Sequence, residues 1–219
     1  MRTLKKLTIK NFKSIREQTI EPGLLNIFIG GNGVGKSNLI EVFRFLREIV
    51  NQNLAGYTAQ KGGADKLLHF GRKKSSQMEI SLEFGEGDTS NAYDIKIKGI
   101  DDDSLLIWSE SIFYHEKNKH SKPWDSQVSS FTKESKLKQT NHICARQVMG
   151  DLDSYRVYRF HDTSDTAAVK ATCDIQDNRF LRPQAENLAA FLYWLQEKEP
   201  DHFQNIVETV RQIAPFFDS

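Results

Sequence analysis

Polar and apolar residues alternate from the first strand-length stretch of the chain. In residues 3–12, Leu7 and Ile9 sit between polar neighbours, the period of a strand with one wet face. A turn at Lys13-Ser14 and a second alternating run, Ile15–Ile20, predict its hairpin partner. Pro22-Gly23 punctuates the chain, and Leu24–Ile29 is apolar enough to predict a central strand covered on both faces. The period then becomes helical: Leu39, Val42, Phe43 and Leu46 form a core-facing stripe in a helix predicted over 36–50. From Met78 the period returns to two. Strands are predicted at 78–84, 92–98 and 105–114, a β-meander spanning 78–114. Residues 115–141 are polar and lysine-rich and read as a long insertion without regular structure. Residues 155–217 are expected to hold a strand at Arg156–Phe160 and two helices, 184–198 and 201–214, broken at Pro200. No internal repeat or sustained heptad occurs.

Composition narrows the class without naming a chemistry. A chain of 219 residues with 27% charged and 11% aromatic residues fits a globular protein, and a net charge of +1 makes no global case for nucleic acid or membrane. Cys144 and Cys173 have no metal-ligand spacing and are expected to be reduced and structural. The N-terminus enters a strand without a signal core, and no apolar stretch reaches membrane-spanning length, so a cytoplasmic location is expected.

The chemistry concentrates where the predicted strand at 24–29 meets the helix. Gly30-Gly31-Asn32-Gly33-Val34-Gly35-Lys36-Ser37 is a G-x-x-x-x-G-K-S loop between strand and helix, with Asn38 following in the helix's first turn. Glycines let backbone N–H groups curl around phosphate oxygens, and the helix N-terminus adds unpaired donors and the positive dipole end. In such a loop Lys36 reaches the β- and γ-phosphates, and the Ser37 hydroxyl is placed to ligate Mg²⁺. ATP with Mg²⁺ is the ligand expected, over a span of 24–50 for strand, loop and helix.

The order strand, Asn-Phe-Lys-Ser, strand, then Gly-x-Asn-Gly-x-Gly-Lys-Ser-Asn resembles the opening of the RecF/SMC branch of ABC-type ATPases. Arg156–Ser164, Asp177–Leu181, Asn187–Leu192 and Ala214–Asp218 resemble segments of predicted bacterial RecF-like ATPases more closely still. The resemblance covers both ends of the chain and only weakly 60–150. It implies an α/β P-loop NTPase fold: an ABC-type ATP-binding lobe with a mixed sheet, an antiparallel β-subdomain and C-terminal helices. It also implies that Lys13 and Ser14 lie near the nucleotide phosphates and that Asn32 points to the γ-phosphate. Read from the residues alone, Lys13-Ser14 is a polar hairpin turn. Asn32 alone is either an amide donor to phosphate or a turn residue tolerating positive φ. In such enzymes a glutamine at a strand end contacts Mg²⁺ and the attacking water. Here His161 or Asp162 would take that role, with Gln176 as the rival; a helix cap and a buried histidine are the plainer account of 161–163.

Other stretches carry less. Arg72-Lys73-Lys74 reads as a solvated basic loop before a DNA contact, and Asp101-Asp102-Asp103 as a solvated turn. Leu105–Glu110 imitates an apolar strand ending in Asp-Glu, but Ser109 stands where the aspartate belongs. An ABC-type site needs that Asp-Glu, the Walker B pair, and a Leu-Ser-Gly-Gly-like signature loop from a second subunit. Neither pattern occurs in 1–219, so the chain is expected to be the N-terminal portion of a longer ATPase head. By resemblance, that ATPase pairs its heads as a homodimer through ATP in DNA repair, maintenance or defence, with DNA as a partner. A nucleotide-sensing regulatory module without turnover is the alternative. A P-loop kinase or GTPase is disfavoured, because strands precede the loop and no Asn-Lys-x-Asp occurs.

Overall fold

The computed structural model describes residues 2–31, 33–158 and 164–216. It divides into two compact units, 1–155 and 156–219.

The first unit is organised on a six-stranded sheet in the order β2-β1-β3-β4-β5-β6. Its strands are β1 (Thr3–Phe12), β2 (Ile15–Ile20), β3 (Gln77–Glu86), β4 (Thr89–Gly99), β5 (Leu105–Glu116) and β6 (Trp124–Thr132). Every pairing is antiparallel. Alternation turns one residue in two toward the core. The inner row Leu7–Leu82–Tyr93–Ile112 runs across four strands, and Ile9–Ile80–Ile95 runs beside it. The outer rows are polar: Glu17–Lys10–Glu79–Lys96 alternates in sign, with ion pairs at 3.2 Å (Lys10–Glu17) and 3.9 Å (Lys96–Glu79). Opposite charges facing each other across strands support this register, and a one-residue slip would bury them.

Helices α1 (Lys36–Val50), α2 (Leu54–Gln60), α3 (Ala64–Leu67) and α4 (Ile143–Ser154) share one hydrophobic core with the inner face. In α1 the buried positions are Leu39, Glu41, Val42, Phe45, Leu46, Ile49 and Val50. The stripe is rotated from the expected one: Phe45 is in the core, against Phe12 and Tyr57, and Phe43 is only partly buried, against Tyr155. Glu134 caps α2 from 80 positions away, its carboxylate accepting from the Leu54 and Ala55 amides at 2.8 and 3.0 Å. At Gly63, φ is +97° and an added Cβ would lie 1.9 Å from Asp103 Oδ2, so only glycine fits.

The second unit contains α5 (Leu188–Lys198) and α6 (Pro200–Ile213). Asn187, fully buried, knots the chain before them: its amide donates to the carbonyls of Asp177 and Phe180 at 2.7 and 2.8 Å, and its Oδ1 accepts from Arg182 N at 2.9 Å. α5 therefore begins four residues later than the helix expected from 184, and Pro200 opens α6.

Three expectations are corrected. Leu24–Ile29 forms no strand; Leu24 and Ile29 are 104% and 91% exposed. A strand buried on both faces exists only where neighbours pair it, and no described strand lies beside this run. The sheet is accordingly antiparallel throughout its described strands, where a mixed one was expected. Second, the polar stretch 115–141 is not all loop, since it supplies edge strand β6. An edge strand needs little apolar content, because ladder hydrogen bonds to β5 and one partly buried valine, Val128, hold it. Third, Arg156–Tyr158 are not strand, and the rest of that expected strand lies outside the described residues.

The inner row Ile9–Ile80–Ile95 continues onto Glu110, which is wholly buried. Its oxygens accept from the Tyr93 hydroxyl (2.8 Å), Ser129 Oγ (2.7 Å), Ser135 Oγ (2.5 Å) and Lys136 N (3.1 Å). The carboxylate thus ties β4, β5, β6 and the 135–137 turn together. Glu110→Ala would strand four donors in the core, and a loss of at least about 3 kcal/mol is expected. Urea unfolding followed by circular dichroism measures it; a loss under about 1 kcal/mol would show that the clamp is dispensable.

Candidate functional site

α1 begins where the glycine-rich loop ends, and its first turn is bare. Gly35, at φ +105°, is the N-cap; no side chain caps the helix and no acidic residue lies in its first turn. The unpaired N–H groups and the positive dipole end therefore face the loop without an internal anion. Gly33 is also at positive φ (+86°), and a Cβ at Gly31 or Gly33 would meet nothing within 4 Å, so the backbone here stands open to a ligand. Gly35 is tighter. A Cβ there would come within 2.9 Å of Ser14 Oγ, so the β1–β2 turn packs directly on the loop–helix junction.

The functional side chains are placed by these elements. Lys36 Nζ donates to the carbonyls of Gly30 (2.5 Å) and Gly31 (2.6 Å), which curls the loop over its own ammonium. A lysine has three N–H donors, so one remains for a further acceptor at the loop. Ser37 is exposed in the first turn of α1. Asn38 Nδ2 donates to Ser14 Oγ at 2.8 Å, which joins two residues expected at one site. Val34 is exposed on the loop. Lys13, next to Ser14, has its amide bonded to Leu67 O (2.8 Å) and its carbonyl to His69 Nδ1 (2.7 Å), with φ at +49°. The structure therefore brings Ser14, Gly35 and Asn38 together at the loop–helix junction, with Lys13 beside Ser14 in the same turn. Asn32, His161 and Asp162 lie outside the described residues. Gln176 is an exposed turn residue of the second unit, its amide bonded to Asp174 Oδ1 at 2.9 Å.

The donor set suits a polyphosphate: glycine backbone, an uncapped helix start and a lysine at the mouth. For Mg²⁺ the described residues offer the Ser37 hydroxyl, which fits an ion held mainly by phosphates and water. Among the described residues no group of three or more His, Cys, Asp or Glu could hold a metal by itself.

The family comparison bears on this loop directly. The sequence family described as the AAA ATPase domain matches residues 3–205. The chain belongs to that family. It is thereby an ATP-binding ATPase module of the P-loop class, with the glycine-rich loop inside the matched span. A comparison with curated proteins found no match. One similar solved structure comes from work on ATP-driven dimerisation and DNA-stimulated activation of SMC ATPases. It is 20% identical, with a TM-score of 0.33, covering 48% of this chain and 68% of that one, too slight a likeness to bear on the fold. Among the described residues no helix is long and apolar enough to cross a membrane.

Sequence reasoning missed the charged group in the second turn of α1. Glu41, 4% exposed, lies one helical turn beyond Ser37 and accepts from Tyr57 Oη at 2.5 Å and Lys61 Nζ at 2.6 Å. A glutamate in the first half of a helix looks like a solvent position; the only signal was its i+4 relation to Ser37 on the face toward the β1–β2 turn. The basic loop is likewise structural at Arg72, which binds Asp65 at 2.9 Å, Asp103 at 3.3 Å and the Ile100 carbonyl. The neighbouring Asp102 caps Ser104, with its oxygen 3.0 Å from that amide.

Burial pushes the Glu41 carboxyl up, but the hydrogen bonds from Lys61 and Tyr57 and the charges of Lys13 and Lys61 outweigh it, and hold it at about 2 against an ordinary 4.5. A carboxyl lowered by folding stabilises the fold fully above its unfolded value and loses that contribution as pH falls through the folded one. Between pH 4.5 and about 2 the protein should lose about 3 kcal/mol through this group. Denaturation at stepped pH, with Glu41→Gln as reference, isolates it: the gap between the two proteins should shrink across that window. A constant gap would contradict the assignment.

Proposed function

We propose that residues 30–38, with Lys13 and Ser14, bind Mg-ATP as the nucleotide site of a RecF/SMC-like ATPase. The observation that carries this reading is the loop itself: Lys36 is drawn over Gly30 and Gly31 at the uncapped start of α1. Lys36 supplies the cation for the β- and γ-phosphates, the glycine amides supply directional donors, and Ser37 contributes an oxygen to Mg²⁺. In the proposed mechanism the two heads of a homodimer close on ATP, and DNA is the partner that the resemblance suggests. Lys36→Ala should abolish measurable binding, because the phosphates lose their fixed cation. Titration with a fluorescent ATP analogue checks this, and undiminished affinity in a folded variant would remove the assignment.

Turnover calls for more than this grip. In-line phosphoryl transfer depends on a positioned water and on charge stabilisation in the transition state. In 1–219 the nearest match to a strand ending in a water-orienting carboxylate is Leu105–Glu110. Glu110 is sealed in the core with four donors on it, so it has no access to a nucleophilic water. Residues 1–219 alone should therefore bind Mg-ATP and hydrolyse it negligibly, since lacking a general base alone costs about 10²–10⁴-fold. Steady-state phosphate release, with Lys36→Ala as contamination control, decides the point. Robust release that depends on Lys36 would place the catalytic carboxylate within this chain. Negligible release with retained binding is also what a nucleotide sensor would give. Restoration of turnover by a second polypeptide carrying the Asp-Glu strand and signature loop would separate the ATPase from the sensor.

A further inference from the structure

Glu41 gathers more positive charge than one carboxylate needs. Besides Lys61 at 2.6 Å, Lys13 Nζ lies 3.9 Å from its Oε1 and Arg44 Nη1 lies 3.9 Å from its Oε2. The three cations come from different elements: the β1–β2 turn, α1, and the residue that ends α2. A buried carboxylate is satisfied by one close cation and a good hydrogen bond, here Lys61 and the Tyr57 hydroxyl. Lys13 and Arg44 are its more distant cations, and the Lys13 side chain, which also lies 5.8 Å over the Phe12 ring, is about a fifth exposed. Its backbone is fixed by Leu67 and His69, while the next residue, Ser14, touches Asn38 and lies against Gly35. A fixed backbone with a flexible four-carbon stem lets the ammonium choose between two anions on the same side of α1.

We propose that Glu41 is an internal counter-ion of Lys13 that competes with nucleotide phosphate for its ammonium and so restrains the loop's affinity for a polyphosphate. In the nucleotide-free protein Lys13 rests against Glu41. With polyphosphate in the loop, Lys13 turns to it, and Glu41 keeps Lys61 and Tyr57. Glu41 is a positioning residue in this scheme, acting through Lys13. The role rests on residues 30–38 binding nucleotide, as proposed above.

The test uses the affinity of the 219-residue chain for a fluorescent ATP analogue with Mg²⁺ at fixed low salt. Glu41→Gln keeps an acceptor for Tyr57 and Lys61 and removes the charge. It should tighten binding about three- to tenfold, the range of a partly exposed ion pair released to another anion. In a Lys13→Met background the same change should move affinity less than about twofold. A residue that merely supports the fold would weaken binding when altered, whether or not Lys13 is present. Weaker binding in Glu41→Gln, or equal tightening in both backgrounds, overturns the proposal. If Glu41→Gln does not fold, Tyr57→Phe decides. Removing that hydroxyl leaves more of the carboxylate's charge to Lys13, so binding should weaken about two- to threefold and only while Lys13 is present. No change, or a change indifferent to Lys13, overturns the counter-ion role. Failure of the nucleotide site itself looks different: Lys36→Ala would bind as wild type, which overturns both readings.

Discussion

The packing of α1 on the inner face of the antiparallel sheet is the constraint from which the rest follows. Phe45, Leu46, Ile49 and Val50 are buried in the core shared with the sheet, Phe45 against Phe12 of β1, and this sets the direction of the helix axis. A helix fixed along its length has its N-terminus fixed as well, and with it the place where unpaired amides and the dipole end emerge. The β1–β2 turn then packs at that point through Ser14, and the only residue that fits opposite it is a glycine at positive φ. The glycine-rich loop thus owes its place to a hydrophobic contact several turns away, and its curl to the Lys36 bonds within it.

Two buried carboxylates share the interior and behave as opposites. Glu110 is met by neutral donors from hydroxyls and one amide, and its environment is closed. Glu41 is met by lysines and an arginine whose side chains are 22–30% exposed. A carboxylate held by neutral groups ties strands together and does little else. One held by partly exposed cations stays responsive to whatever other anion those cations can reach.

How much of this could be read from the sequence depended on what each pattern encodes. The loop was legible because glycine spacing, lysine and serine report backbone chemistry directly, residue by residue. The strands at 77–86, 89–99 and 105–116 were legible because each carries its own alternation. Leu24–Ile29 misled because an apolar run demands burial without naming the partner that provides it. β6 was missed for the reverse reason: an edge strand is specified by its neighbour's free backbone more than by its own side chains. Glu41 was invisible because Tyr57 and Lys61 lie 16 and 20 positions away, and a buried ion pair between distant residues leaves no local signature.

The charge around the start of α1 draws these observations together. Its first turn has no acidic residue and its N-cap supplies no side-chain acceptor. Lys36 is already committed to two carbonyls, and Lys13, Arg44 and Lys61 surround a single carboxylate one turn further on. A lysine at the dipole's positive end, with no acidic residue in the first turn, favours an anion at the loop. An anion entering the loop would meet that field in addition to making its own hydrogen bonds. In the counter-ion role proposed for it, Glu41 trades some of that affinity for a protein that is stable before its ligand arrives.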